Sequence, residues 1–379
     1  MKRIKSDKIL LSDRMLDGYV YFKDDKIMDV TSADYPVEEE YDATGLYISA
    51  GFIDIHTHGG GGNPFEGSVD DIVEGCNFHL KHGTTSICPT ISAAPMESMA
   101  RSARNIAAAM KDDRVKGTIL GAHMEGPYLS AKQAGAQSPD FITPPVEKDY
   151  LPLIEECGDA IARWSYAPEN DEDERFVKTL RDYGIIPSAG HTDAIFDDMK
   201  RAMEYGCNLV THLYSCTSTV TRDHGFRRLG VIETAFLRDE LTVELIADGK
   251  HLPLDLMRMI LKIKGVERTV LTSDCLSLTG TQETEGVMNG VEYVLEDGVC
   301  KLRDRTAFAG SIATAPVLLK TALEVGVSLT DAVNMMSRNP ARLLGLRKGE
   351  LTEGFDADVT VLSDDLTVKA VFVSGERVK

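Results

Sequence analysis

Short apolar runs alternate with segments of helical spacing through most of the chain. The runs are GFIDIHTH, GTTSICPT, GTILGAHMEG, AIARWSYAPE, GIIPSAGH, CNLVTH, LTVELIAD and RTVLTSD. Each is β-rich and reads as a strand. Between them lie helix-like stretches such as MESMARSARNIAAAMK and DERFVKTLRDYG. Eight β/α units over about 50–345 match a (β/α)8 TIM barrel in number and length. A doubly wound sheet fits less well, because six strands are more usual there and no GxGxxG opens a helix.

The two ends of the chain follow another pattern. DGYVYFKDDKIMDV has apolar residues broken by a DD turn, a hairpin signal. From about Gly354 the chain reads FDADVTVLSDDLTVKAVFVSGERVK, again strand, turn, strand. Termini often lie close together, so one small flanking β domain built from 1–48 and 346–379 is expected, with the barrel over 49–345.

Composition changes the picture mainly by exclusion. The 379 residues are 43% apolar and 27% charged, ordinary for a globular chain and long enough for a large barrel with an appendage. The formal net charge of −19 argues against a nucleic-acid partner and against anionic membranes. A small anionic substrate stays open, because a local Arg and His cluster can outweigh the global field. No apolar run approaches the ~20 residues that span a bilayer. The opening MKRIKSDKILLSDRML lacks the apolar stretch and cleavage site of a secretory leader. The seven cysteines are scattered, odd in number and without CxxC, which reads as reduced cytoplasmic thiols.

The polar residues fall where a barrel would use them. The first run ends in His56 and His58, the third in His123 and Glu125, the fifth in His191, the sixth in His212 and the eighth in Asp274. His251 lies in the loop after the seventh. The C-terminal strand ends of a barrel converge on one mouth, so these residues could meet. Side chains at i and i+2 share a strand face, which pairs His56 with His58 and His123 with Glu125. Imidazole and carboxylate suit a borderline divalent cation such as Zn, Fe, Mn or Co. Asp274 adds a carboxylate able to take a proton from water. HxH alone occurs by chance; six of nine histidines at or just past predicted strand ends do not. His79 and His82 lie near the end of a predicted helix and read as structural, interacting with its last carbonyls. His123 reads as a support for the ligands, and Gly59 to Gly62 as a close-approach turn.

In order along the chain, GFIDIHTHGGGG, GAHMEGPYLS, SAGHTDA, THLYS, IADGKH, TSD and FAGS resemble the N-acetylglucosamine-6-phosphate deacetylase family of the amidohydrolase superfamily. The resemblance covers essentially the whole chain. It implies a barrel with a small β-sandwich, a homodimer, and removal of acetate from an amino-sugar 6-phosphate. It implies Glu125, His191 and His212 as metal ligands, His56 and His58 as a second metal position, and Asp274 as catalytic acid and base. It further implies substrate contacts from Ala136, Gln137, His251, Phe308, Ala309 and Gly310. The family commonly continues THLY with Asn-Ala-Met, where this chain has Ser215, Cys216 and Thr217, and Gln137 stands at a position that is usually His. Arg222, His224, Arg227 and Arg228 in TRDHGFRRLG are all candidates for the phosphate contact. The competing readings are another amidohydrolase acting on a different N-acyl substrate, and a metal-stabilised protein without activity. Glu125 at the third-strand position, where related hydrolases use a carboxylated lysine, favours the deacetylase, and Asp274 disfavours a silent protein.

Overall fold

A computed structural model describes all of residues 1–379. Its centre is a cylinder of eight parallel strands: Phe52–Thr57, Thr84–Ser92, Ala122–Glu125, Ile161–Tyr166, Ile186–Ala189, Leu209–Val210, Thr242–Ile246 and Thr269–Thr272. Each pairs in parallel with the next. All eight runs anticipated from the sequence form strands. The third is split: Thr118–Ile119 pairs with the second strand before the chain re-enters the sheet at Ala122. Gly121 makes that break possible, with φ +121° and only 2.9 Å between a would-be Cβ and the Ala162 nitrogen. The eighth and first strands meet through the Asp274 N–H, which donates to His56 O at 2.9 Å. The Thr272 hydroxyl adds contacts to Asp54 at 2.7 Å and His56 O at 2.9 Å.

A helix follows every strand, from Val69–Leu80 after the first to Ala315–Val325 after the eighth. The first is started by a capping box: Ser68 accepts from the Asp71 N–H, and Asp71 accepts from the Ser68 backbone. Apolar faces of the helices and the outer faces of the strands form one core of 61 buried residues. No helix is long and apolar enough to cross a membrane.

The termini build a separate β-sandwich. Lys2–Leu10, Met15–Lys23, Lys26–Thr31, Glu39–Asp42 and Tyr47–Ala50 join Val359–Leu362, Val368–Val373 and Glu376–Arg377 in one hydrogen-bonded sheet. The two ends of the chain meet where Tyr47–Ala50 runs antiparallel to Val359–Leu362. Three strands separate the one carrying Phe22 from the one carrying Phe372 in the sheet order, yet the two rings lie 6.2 Å apart. That contact requires the sheet to fold over on itself. Tyr41 meets Phe372 edge-on at 5.4 Å, and 14 buried residues fill the space between.

One element was not anticipated. After the eighth strand, Glu285–Met288, Val291–Glu296, Val299–Leu302 and Phe308–Gly310 form a four-stranded antiparallel meander. Its core, including Leu276, Met288, Tyr293 and Cys300, is separate from that of the barrel. The signal was legible as alternation in VEYVLEDGVCKL around a DG turn.

The sandwich depends on Phe372 as its central large ring. Phe372→Ala is expected to lower stability by about 3–5 kcal/mol in urea titration while leaving the metal content of the folded barrel unchanged.

Candidate active site

Six side chains gather at the C-terminal mouth of the cylinder. His56 lies in the first strand, His58 one residue past it and Glu125 at the end of the third. His191, His212 and Asp274 each stand two residues beyond the fifth, sixth and eighth strands. All three of these have positive φ, at 47°, 27° and 48°. Side chains rarely tolerate that backbone, at a cost of about 1–3 kcal/mol each. The abrupt turn takes each residue out of strand alternation and aims its side chain across the mouth.

Glu125 lies at the centre. Its Oε1 is 3.2 Å from His56 Nε2, 3.2 Å from His191 Nε2 and 3.1 Å from His212 Nε2. Its Oε2 is 3.4 Å from His58 Nε2. Gln137 donates to the same oxygen at 2.8 Å and is itself fixed by the Ala93 N–H at 2.8 Å. Asp274 Oδ1 sits 3.2 Å from His58 Nε2 and 3.5 Å from His56 Nε2.

The far nitrogens of the rings point outward to partners. His56 Nδ1 meets Glu244 Oε1 at 2.6 Å, His58 Nδ1 meets the Ser92 hydroxyl at 3.1 Å, and His191 Nδ1 meets Gln133 O at 2.9 Å. A ring held at Nδ1 leaves Nε2 as the inward lone pair, the usual arrangement around a metal. His123 supports the layer below, with Nε2 2.7 Å from Ser165 Oγ and Nδ1 3.2 Å from Thr90 Oγ1.

The donor set fits divalent cations. Two groups, His56 with His58 and Glu125, and Glu125 with His191 and His212, each hold their ligand atoms within 4.8 Å of one another. Nε2 of His191 and Nε2 of His212 face each other at 3.2 Å, which is unfavourable for two lone pairs or two N–H groups and natural for two ligands of one ion. His56 Nε2 is fully buried and near Glu125 but makes no hydrogen bond. The electrostatics agree. Burial opposes protonation of His56, but Glu125, Glu244 and Asp274 outweigh it and push its pKa up to about 10. Burial likewise opposes ionisation of Asp274, and His56 and His58 override it and hold the carboxyl below its ordinary value. The cluster attracts positive charge, as a cation site must.

A cavity of about 270 Å³ opens over this centre. Its walls include Ala136, Gln137, Ser215, Cys216, His251, Phe308 and Ala309, all candidates from the sequence. Gly310 lies just behind; a Cβ on it would come within 3.0 Å of Asp274 O. His251 is oriented by Asp248, whose Oδ2 is 2.8 Å from its Nδ1, and packs edge-on to Phe308 at 5.0 Å. Tyr214, Ile246, Met288 and Ala307 also line the cavity and were not anticipated.

The remaining candidates do not reach this cavity. Arg222, His224, Arg227 and Arg228 sit on an exposed hairpin of Thr221–Asp223 and Phe226–Arg228. Arg228 pairs with Asp223 at 3.0 Å, and Arg227 and Arg228 border a different surface cleft. A two-residue turn at His224 and Gly225 closes the hairpin, whose strand residues are all exposed, a geometry the loop's composition does not reveal. The cavity is lined by no Lys or Arg of this chain. Two unanticipated residues, Arg163 and Glu244, lie fully buried beneath the centre. They were detectable as single opposite charges inside the otherwise apolar runs AIARWSYA and LTVELIA.

A barrel mouth with clustered histidines and a bridging carboxylate defines a metal-dependent hydrolase. The Amidohydrolase family model matches residues 47–378, so the chain belongs to the amidohydrolase family. Within it, the chain belongs with the N-acetylglucosamine-6-phosphate deacetylases. The Bacillus subtilis (strain 168) enzyme of that name is 31% identical over 96% of this chain and 94% of its own length. An N-acetylgalactosamine-6-phosphate deacetylase from a Shewanella species is also 31% identical, over 91% of this chain and 86% of its own. A variant of the Mycobacterium smegmatis N-acetyl-D-glucosamine-6-phosphate deacetylase, in complex with N-acetyl-D-glucosamine-6-phosphate, superposes with TM-score 0.92 at 27% identity. That match covers 99% of this chain and 98% of the other.

His212→Ala removes one of the three groups that could hold an ion and is expected to weaken metal binding at the Glu125, His191 and His212 position by at least about 100-fold. Elemental analysis after dialysis against graded chelator measures it.

Proposed function

We propose that this protein hydrolyses N-acetylglucosamine 6-phosphate to glucosamine 6-phosphate and acetate. The observation that carries the reading is Asp274, a buried carboxylate set beside two cation positions at the floor of a cavity sized for one small molecule. The similarity to enzymes of that activity, at 30% identity or more over nearly the full chain, supports it.

Two ions suit the site better than one, since both ligand groups are complete and share Glu125. Glu125, His191 and His212 would hold one, and His56, His58 and Glu125 the other. Bound there, divalent ions polarise the amide carbonyl and lower the pKa of water.

The chain's own groups do the rest. Asp274, held ionised by the neighbouring histidines, accepts the proton of the attacking water and returns it to the departing amine nitrogen. Its position is fixed from both sides, by its own N–H to His56 O at 2.9 Å and by the Ser311 N–H to its carbonyl at 2.7 Å. Ile246, Met288, Phe308 and Ala309 wall the cavity with apolar surface and limit water around the acyl group. Ser215, Gln137 and His251 supply the polar contacts for a sugar, with His251 the group suited to a phosphate oxygen.

The enzyme works as a cytoplasmic homodimer in this reading. The seven cysteines are all unpaired and six are buried, which suits a reducing compartment. The exposed hairpin carries Phe226 at 75% exposure, a surface for a second copy.

Asp274→Asn is expected to keep fold and metal and to lower kcat by about 100-fold or more. Near-wild-type turnover would remove the assignment. Steady-state rates on N-acetylglucosamine 6-phosphate, its unphosphorylated form and N-acetylgalactosamine 6-phosphate test the substrate. A kcat/KM highest for the first is expected. Preference for an unphosphorylated N-acyl compound would overturn it.

A further inference from the structure

We propose that the buried Arg163–Glu244 ion pair is a positioning element. It locks the first and sixth barrel strands together beneath the two cation positions and sets the affinity of the His56/His58 position. The inference rests on the metal-dependent reading above, but its measurements involve no substrate.

Both residues are wholly inaccessible to solvent, in the middle of the fourth and seventh strands. Barrel interiors are ordinarily filled by branched apolar side chains. A buried ion pair is a poor device for stability, because desolvating two charges offsets most of their attraction. This pair is not even fully satisfied: Arg163 Nε is buried without a hydrogen-bond partner. What the pair touches supplies a reason for its presence.

Arg163 Nη1 donates to Glu244 Oε2 and to Ile55 O at 3.2 Å. Its Nη2 donates to Thr211 Oγ1 at 2.8 Å and Ser188 Oγ at 3.3 Å. Glu244 Oε1 meets His56 Nδ1 at 2.6 Å and accepts weakly from the His212 N–H at 3.4 Å. Apart from the hydroxyls of Ser165 and Ser188, the contacts fall on two adjacent pairs of residues, Ile55 with His56 and Thr211 with His212. Each pair ends in a ligand, and the two ligands belong to different cation positions. One ion pair spans the interior, with a short contact to the His56 ring and only a long one to the His212 backbone.

The pair also determines which nitrogen of His56 faces the metal. An ionised carboxylate is an acceptor only, so Glu244 Oε1 places the ring proton on Nδ1 and leaves Nε2 as the inward lone pair. Among the four histidines, His56 alone has an anionic partner at its outer nitrogen. His58 has a hydroxyl, His191 a backbone carbonyl, and His212 Nδ1 is buried without a partner. A glutamine could not replace Glu244. It has one oxygen, whereas His56 Nδ1 and Arg163 Nη1 each need an acceptor there.

The test compares the full-length wild type, Glu244→Gln, and the double variant Arg163→Met/Glu244→Gln. Each is loaded with zinc or manganese and titrated with chelator, with metal per chain read by elemental analysis and folding by circular dichroism. The expected result is selective: the His56/His58 position weakens by about 10–100-fold, and the Glu125/His191/His212 position moves by less than about threefold. The double variant removes both charges together, so it keeps the interior neutral if the single variant fails to fold, and it should show the same selective loss. Equal weakening of both positions, or wild-type affinity at both in a folded variant, overturns the proposal. Failure of both variants to fold assigns the pair to folding and overturns it too. A wild-type chain that binds no metal would instead bring down the metal-dependent reading, and this inference with it.

Discussion

Everything at the mouth of this barrel turns on one carboxylate shared by four imidazoles. Glu125 has Nε2 of His56, His58, His191 and His212 within 3.4 Å of one or other of its oxygens. So many ring nitrogens around one carboxylate make a donor set that could hold divalent cations. The barrel makes the convergence possible, because the C-terminal ends of separate strands surround a single point. Three of the residues involved, His191, His212 and Asp274, adopt a backbone that costs energy, and the surrounding sheet holds them there.

The floor of the site is a layer of charge and hydroxyl rather than of hydrocarbon. Arg163, Glu244, His123, Ser165, Ser188 and Thr211 form one buried hydrogen-bonded network below the ligands. Such a layer desolvates two charges and leaves Arg163 Nε without a partner, so it adds little to stability. The apolar bulk that holds the fold lies elsewhere, between strands and helices and inside the sandwich. Stability and site geometry are thus carried by different parts of the barrel.

The substrate end follows a different logic. A chain of net charge −19 offers a cavity without lysine or arginine, and His251 is the one histidine of its lining that stands outside the cluster around Glu125. Its orientation comes from Asp248, three residues earlier on the same loop. Another part of the wall comes from the meander after the eighth strand, which supplies Met288, Phe308 and Ala309 to the cavity. The arginines that the sequence offers for a phosphate project from a separate hairpin.

The sequence by itself determined the eight strands, the terminal β domain, and a ligand set whose members end those strands. Periodicity reports local burial, and a histidine or carboxylate at a strand end is local information. Asp274, the two groups that could hold an ion and most of the cavity wall were legible for that reason. Only the tertiary structure decided that Arg163 and Glu244 join across the interior, that the 285–310 meander supplies part of the cavity wall, and that Arg222, Arg227 and Arg228 lie on an exposed hairpin and do not line this chain's cavity. Those facts depend on distances between residues tens to hundreds of positions apart and on which surface a loop comes to occupy. Local pattern holds no record of either, because closure of the cylinder, not the nearby residues, sets them.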